Sequence, residues 1–165
     1  GVFLDDEAIE LMVERGTFLV PTLMAPLSVL QAADEGMPVA DSSLEKARMV
    51  VAAHTDSFRR AAAAGVPIAM GTDAIGVPHG RNLEELEHMV KQGLEPIEAL
   101  KTATSNAARL LRIEDDLGTI APGKRADLVV IDGDPLDVVG LRQRVVGVWK
   151  DGQHVAGHVG AEVAG

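Results

Sequence analysis

Asp73 is the residue best placed to do chemistry. It follows an apolar run, Val66-Pro67-Ile68-Ala69-Met70, and a Gly71-Thr72 pair. In α/β sheets and barrels, active sites are built at the C-terminal ends of the strands. A carboxylate there can ligate a divalent metal through oxygen, or accept a proton from a water that the metal activates. The same carboxylate can instead cap the following loop by accepting from local backbone N–H groups. One strand-end acid does not decide between these roles. His79 lies in the same loop, within Pro78-His79-Gly80. It could hold a substrate carboxylate or carbonyl, or join a metal shell. A solvated loop histidine without a role is the simpler alternative.

Other candidates read as structural. His54 and His88 fall inside expected helices, as packing or surface residues. His154 and His158 have the i, i+4 spacing of a helical metal pair, but Gly152, Gly157 and a strand-like context argue against a helix. Gly118-Thr-Ile-Ala-Pro-Gly-Lys124 imitates the start of a phosphate-binding loop. Arg125 then stands where Ser or Thr must hold magnesium, and Pro122 removes an N–H from the cradle. Glu84, Glu85 and Glu87 read as the solvated face of a helix that turns Leu83, Leu86 and Val90 inward. No nucleophile elbow or Ser-His-Asp order is present.

Composition bounds the partners. The 165 residues carry 25 acids and 15 bases, a formal charge of −10. That surface repels phosphate backbones, so nucleic acid is not an expected partner. A hydrophobic fraction of 47% argues for a packed core. With no cysteine there is no disulfide framework and no thiolate nucleophile. A cytoplasmic setting fits, no membrane partner is expected from the apolar runs, and no signal-peptide pattern opens the chain. The length suits one domain and falls short of a complete (β/α)₈ barrel, which needs roughly 250 residues.

The elements that must position Asp73 alternate. Helices are expected over 5–15, 43–64, from Asn82 to Gly93, and from Pro96 to about Leu111, with a long connection over 24–41. Ser42 with Glu45, and Asn82 with Glu85, have capping-box spacing. Apolar runs 17–23 and 66–70 read as strands buried on both faces, with Pro21 near the end of the first. The alternation predicts α/β units with parallel strands. Short strand-like runs over 117–120, 126–132 and 145–150 follow, and Asp151-Gly152 signals a hairpin. The expected organisation is 1–114 as an α/β unit, 115–155 as a β module and 156–165 as a frayed tail.

Four segments together resemble the C-terminal part of a metal-dependent amidohydrolase. They are Asp6–Leu23; Gly65–Ala74 with His79, Gly80 and Asn82; Gly93–Leu111; and Leu117–Asp137 with Val145–Gly152. Leu117-Gly-Thr-Ile-Ala-Pro-Gly-Lys-Arg-Ala-Asp-Leu-Val-Val-Ile-Asp132 and Gly71-Thr72-Asp73 are the most specific. The nearest branch is the imidazolonepropionase-like group that includes Xaa-Pro and Xaa-Arg/Lys dipeptidases. The resemblance implies the last strands and helices of a (β/α)₈ TIM barrel, followed by part of a small β-sandwich. It implies one or two divalent metals, usually zinc, with Asp73 as metal ligand and proton acceptor. His79 would lie where substrate contacts occur. A His-x-His pair, a carboxylated lysine in binuclear members and two further histidines are expected upstream of Gly1, so this chain alone is expected to be inactive; two barrel strands that cannot close leave edges and apolar faces open, so it is also expected to be poorly folded. The implied substrate is a dipeptide or other small molecule, with homo-oligomerisation left open. A cyclic amidohydrolase or deaminase, or a non-catalytic truncated homologue, are the alternatives.

Overall fold

The structure is a computed structural model that describes residues 1–73 and 79–157. Helix α1 (Asp6–Arg15) starts at Asp5, whose side chain accepts from Ala8 N at 2.8 Å, and ends at Gly16. Its entry is tied to helix α3 (Asp41–Ala63). There Ser57 Oγ accepts from Leu4 N at 3.0 Å and donates to the Val2 carbonyl at 2.7 Å, and Arg60 pairs with Asp6.

The two apolar runs lie side by side in parallel, but they make a single bridge, Leu19 with Ile68. Leu19 N donates to Pro67 O at 2.8 Å, and Ala69 N donates to Leu19 O at 3.0 Å. The next rung would need an N–H on residue 21, and the preceding one an N–H on residue 67. Both are prolines, so the ladder stops in each direction. The expected strands are therefore shorter than their apolar runs. The outer edge of the second run is covered by helix groups. Met70 N donates to Thr102 O at 2.9 Å, and Asn106 Nδ2 donates to Ile68 O at 3.0 Å.

That covering explains why the helix expected from Pro96 to Leu111 is two helices, α5 (Pro96–Thr102) and α6 (Ser105–Leu111). In a continuous helix the Thr102 carbonyl would accept from Asn106 N; here it is committed to the strand. Pro96 does occupy the first turn of α5, and Glu95 makes no side-chain cap.

Residues 24–41 are not the expected connection, because helix α2 (Met24–Asp34) fills most of it. Pro26 lies in the first turn, where its missing N–H costs nothing. The start has no side-chain cap of its own. The Glu85 carboxylate supplies it from helix α4 (Glu84–Lys91), accepting from Leu23 N at 2.7 Å and Met24 N at 2.9 Å. Neither capping box forms. Ala40 and Leu83 are the N-caps of α3 and α4, without side-chain bonds.

After α6 the fold becomes an antiparallel sheet in the order β1 (Leu128–Ile131), β2 (Val145–Lys150), β3 (Gln153–Gly157). Lys150 pairs with Gln153 across the Asp151-Gly152 turn, the hairpin its sequence predicts. Residues 117–120 form no strand. Ala156 and Gly157, expected in the tail, belong to β3, and 158–165 lie outside the described residues. The core joins both parts: Val138 and Leu141 pack into one cluster with Ile9, Leu19, Leu23, Phe58, Ile68, Leu86 and Met89. Gly140 N also donates to Glu87 Oε1 at 3.0 Å. The chain is thus α/β.

Candidate active site

Asp73 ends the second parallel run with its side chain exposed and its backbone at φ 47°. His79 is also exposed, at the point where the chain returns toward α4. Residues 74–78 between them, Pro78 included, lie outside the described residues. The neighbouring run ends in the same way, with Thr22 at φ 52°. A left-handed conformation costs a non-glycine residue roughly 1–2 kcal/mol, so each must be held by its surroundings.

The two ends touch. A Cβ placed on Gly71 would lie 2.5 Å from Val20 Cγ1 and 3.7 Å from Thr22 Cγ2. Only a glycine lets the runs approach this closely two residues before Asp73. Four side chains, Glu85, Arg81, Glu84 and Gln31, then lock the segments around this end. Glu85 holds Leu23 and Met24. Arg81 grips Glu84 through Nε at 2.9 and 3.0 Å and Nη2 at 2.6 Å. Arg81 Nη2 also reaches Gln31 Oε1 on α2 at 3.3 Å. The segments that follow the two runs are thereby fastened to each other.

Glu85 corrects the solvated-face expectation. It is completely buried, and burial pushes its carboxyl up to about 7, against the two backbone bonds that favour the ionised form. Glu87 is mostly covered, and Arg81 lowers the carboxyl of the half-buried Glu84. The sequence holds a signal for Glu85: it stands one turn before the buried Met89 and next to the buried Leu86, within the apolar arc.

The histidines separate. His54 is buried and His88 half-buried, and burial lowers both imidazoles. Both line a cavity of about 10 Å³ with Leu23, Pro26 and Gln92. His154 is exposed beside Trp149, with ring centroids 5.0 Å apart, and His158 lies outside the described residues. In the imitation phosphate loop, Lys124 Nζ is taken up by Glu114 O at 2.6 Å and Thr119 Oγ1 at 2.7 Å.

Asp73 offers carboxylate oxygens suited to one position around a divalent ion. A catalytic zinc needs three protein ligands. Among the described residues no group of three or more His, Cys, Asp or Glu side chains is arranged to hold a metal. Asp73 therefore fits as a single donor, and the described residues do not complete a centre. Among them, too, no helix is long and apolar enough to cross a membrane.

Residues 3–163 match the amidohydrolase family. The chain is 33% identical over 156 residues to an ochratoxinase of Aspergillus niger, covering 92% of this chain and 32% of that protein. It superposes with a TM-score of 0.85 on the crystal structure of a Xaa-Pro dipeptidase with methionine bound in its active site. The identity there is 41%, over 95% of this chain and 39% of the other. An adenine deaminase of Petrotoga mobilis is 48% identical over 71 residues, covering 43% of this chain and 11% of that protein. The chain thus spans about a third of the ochratoxinase and two fifths of the dipeptidase.

Proposed function

The chain belongs to the amidohydrolase family, and from that premise we propose that the full-length protein is a dipeptidase-like hydrolase of an amide C–N bond. The observation that carries the reading is the similarity to a Xaa-Pro dipeptidase along 95% of the chain. In this reading the parallel pair of Leu19 and Ile68 belongs to the last two strands of a (β/α)₈ barrel. The sheet of β1, β2 and β3 is part of a small β-sandwich.

A divalent metal, zinc in this proposal, would polarise the scissile carbonyl and make water acidic near neutral pH. Asp73 would be one of its ligands. The chain's own contribution is a proton path. The Asp73 carboxylate accepts a proton from the attacking water and returns it to the departing amine nitrogen, so a single group serves as base and then acid. Its exposure at a strand end leaves it free to reach both atoms. His79, across the loop, would contact the substrate carboxylate.

The second reading is a cyclic amidohydrolase or a deaminase, which cleaves a C–N bond within or on a ring; the identity with an adenine deaminase favours it, over less than half of the chain. A substrate panel separates them. The full-length protein loaded with zinc is expected to release free amino acids from Xaa-Pro, Xaa-Arg and Xaa-Lys dipeptides. Turnover confined to cyclic imides, imidazolones or adenine would sink the dipeptidase reading.

A further inference from the structure

The turn that ends the first parallel run is held from a distance. Pro21-Thr22-Leu23-Met24 follows Leu19 at the same end of the pair as Asp73. Part of the turn is fastened locally. Thr22 Oγ1 donates to Pro21 O at 2.7 Å, and Ala25 N donates to Thr22 O at 3.1 Å. Two N–H groups, on Leu23 and Met24, instead take one oxygen each of Glu85. Among the described residues no other side chain bonds to them, and the partners are 62 and 61 residues apart in sequence.

Thr22 is the strained residue of this turn, at φ 52°, and its methyl faces Gly71. Asp73, two residues further on, is at φ 47°. Two left-handed non-glycine residues at adjacent strand ends need neighbours that over-determine them. Glu85 does this for the first, and Val20 and Thr22 form the wall along which the second leaves its strand. A carboxylate is the side chain that suits the place. It presents two acceptors to two neighbouring N–H groups, whereas an amide would turn a donor toward one of them.

We propose that Glu85 is a positioning residue: by clamping Leu23 and Met24 it sets the Thr22 turn, and through Thr22 and Gly71 it fixes the strand end from which Asp73 works. The proposal rests on the hydrolase reading for its catalytic consequence and on geometry alone for its structural one.

The test uses the full-length protein and reads both. Hydrogen–deuterium exchange should be faster in Glu85→Gln than in the wild type over residues 19–25 and 69–73, and unchanged over α1. Steady-state kinetics should show kcat about 10- to 100-fold lower, the penalty of a misplaced reacting group, with KM within about twofold. Ile9→Ala, which opens the shared core but leaves the Glu85 bonds to Leu23 and Met24 in place, serves as the control for stability loss and should leave kcat within about twofold at a temperature where both variants are folded. Should Glu85→Gln not fold, Thr22→Gly removes the strained φ without removing the clamp. It should fold at least as well as the wild type and still lose about tenfold in kcat, again through misplacement. Unchanged exchange at 69–73 in Glu85→Gln, or in Thr22→Gly if that variant is used, would overturn the proposal. So would a kcat loss reproduced by Ile9→Ala. A wild type without amide hydrolysis would refute the hydrolase reading and leave the exchange result to decide the clamp.

Discussion

A buried carboxyl held near 7 makes stability depend on pH in a direction opposite to most acids. In the unfolded chain Glu85 ionises near its ordinary value of 4.5; in the fold, burial raises it to about 7. Below pH 4.5 both states hold the proton, and the native state has its full advantage. As pH rises from 4.5 to 7 the unfolded state gives up the proton while the native state keeps it, so stability falls. Each unit is worth about 1.4 kcal/mol, so raising the pH from about 5 to about 8 should cost roughly 2–3 kcal/mol. His54 and His88 oppose this. Their imidazoles are lowered by burial, so they disfavour the fold at low pH and add stability as pH rises through about 6.5. The assay must therefore be a difference. Urea unfolding of the full-length wild type and of Glu85→Gln, at constant ionic strength from about pH 5 to 8, cancels the histidines. The amide of the variant cannot titrate, and it leaves one buried N–H without an acceptor, for a cost of about 1–3 kcal/mol. The advantage of wild type over variant should shrink between about pH 5 and 7 and level off above that. A difference that stays flat, or grows with pH, would refute a carboxyl raised by burial.

Two further outcomes follow from the packing and one from the single metal donor. Gly118→Ala should destabilise by about 2–4 kcal/mol, since Gly118 is at φ 88° and its Cβ would meet Ala108 Cβ at 2.6 Å and Thr104 O at 3.0 Å; thermal unfolding reads this. Met89→Ala should cost about 2–5 kcal/mol in the same assay, because Met89 is fully buried in the shared core. The 165-residue chain by itself should retain no stoichiometric zinc after dialysis, since Asp73 is one donor; metal analysis showing one tightly held equivalent would contradict that.

How legible all this is in the sequence depends on range. The helix over 5–15 and the hairpin at Asp151-Gly152 are local, decided by residues close to each other in sequence, and both are readable. Helix α2 is not, because its cap is a carboxylate some sixty residues away. The break between α5 and α6 escapes for the same reason, since Thr102 turns its carbonyl to Met70. The prolines that end the parallel ladder are in plain view, but their effect depends on which residue each faces. Glu85 is the residue the sequence disguises best. A run of glutamates looks solvated until the helix is turned and one of them falls on the buried arc. Asp73 is located by its place after a buried run, while the left-handed backbone that aims it is not foreseeable from Gly71-Thr72.

In the proposed hydrolase reaction Asp73 carries the proton. Asp73→Asn in the full-length protein, assayed on a dipeptide at saturating substrate with metal content measured alongside, tests this. The side chain is exposed, so the fold should survive the change. The substitution should lower kcat by about 10²- to 10⁴-fold, the usual weight of a positioned acid–base group. Turnover equal to that of the wild type would contradict it.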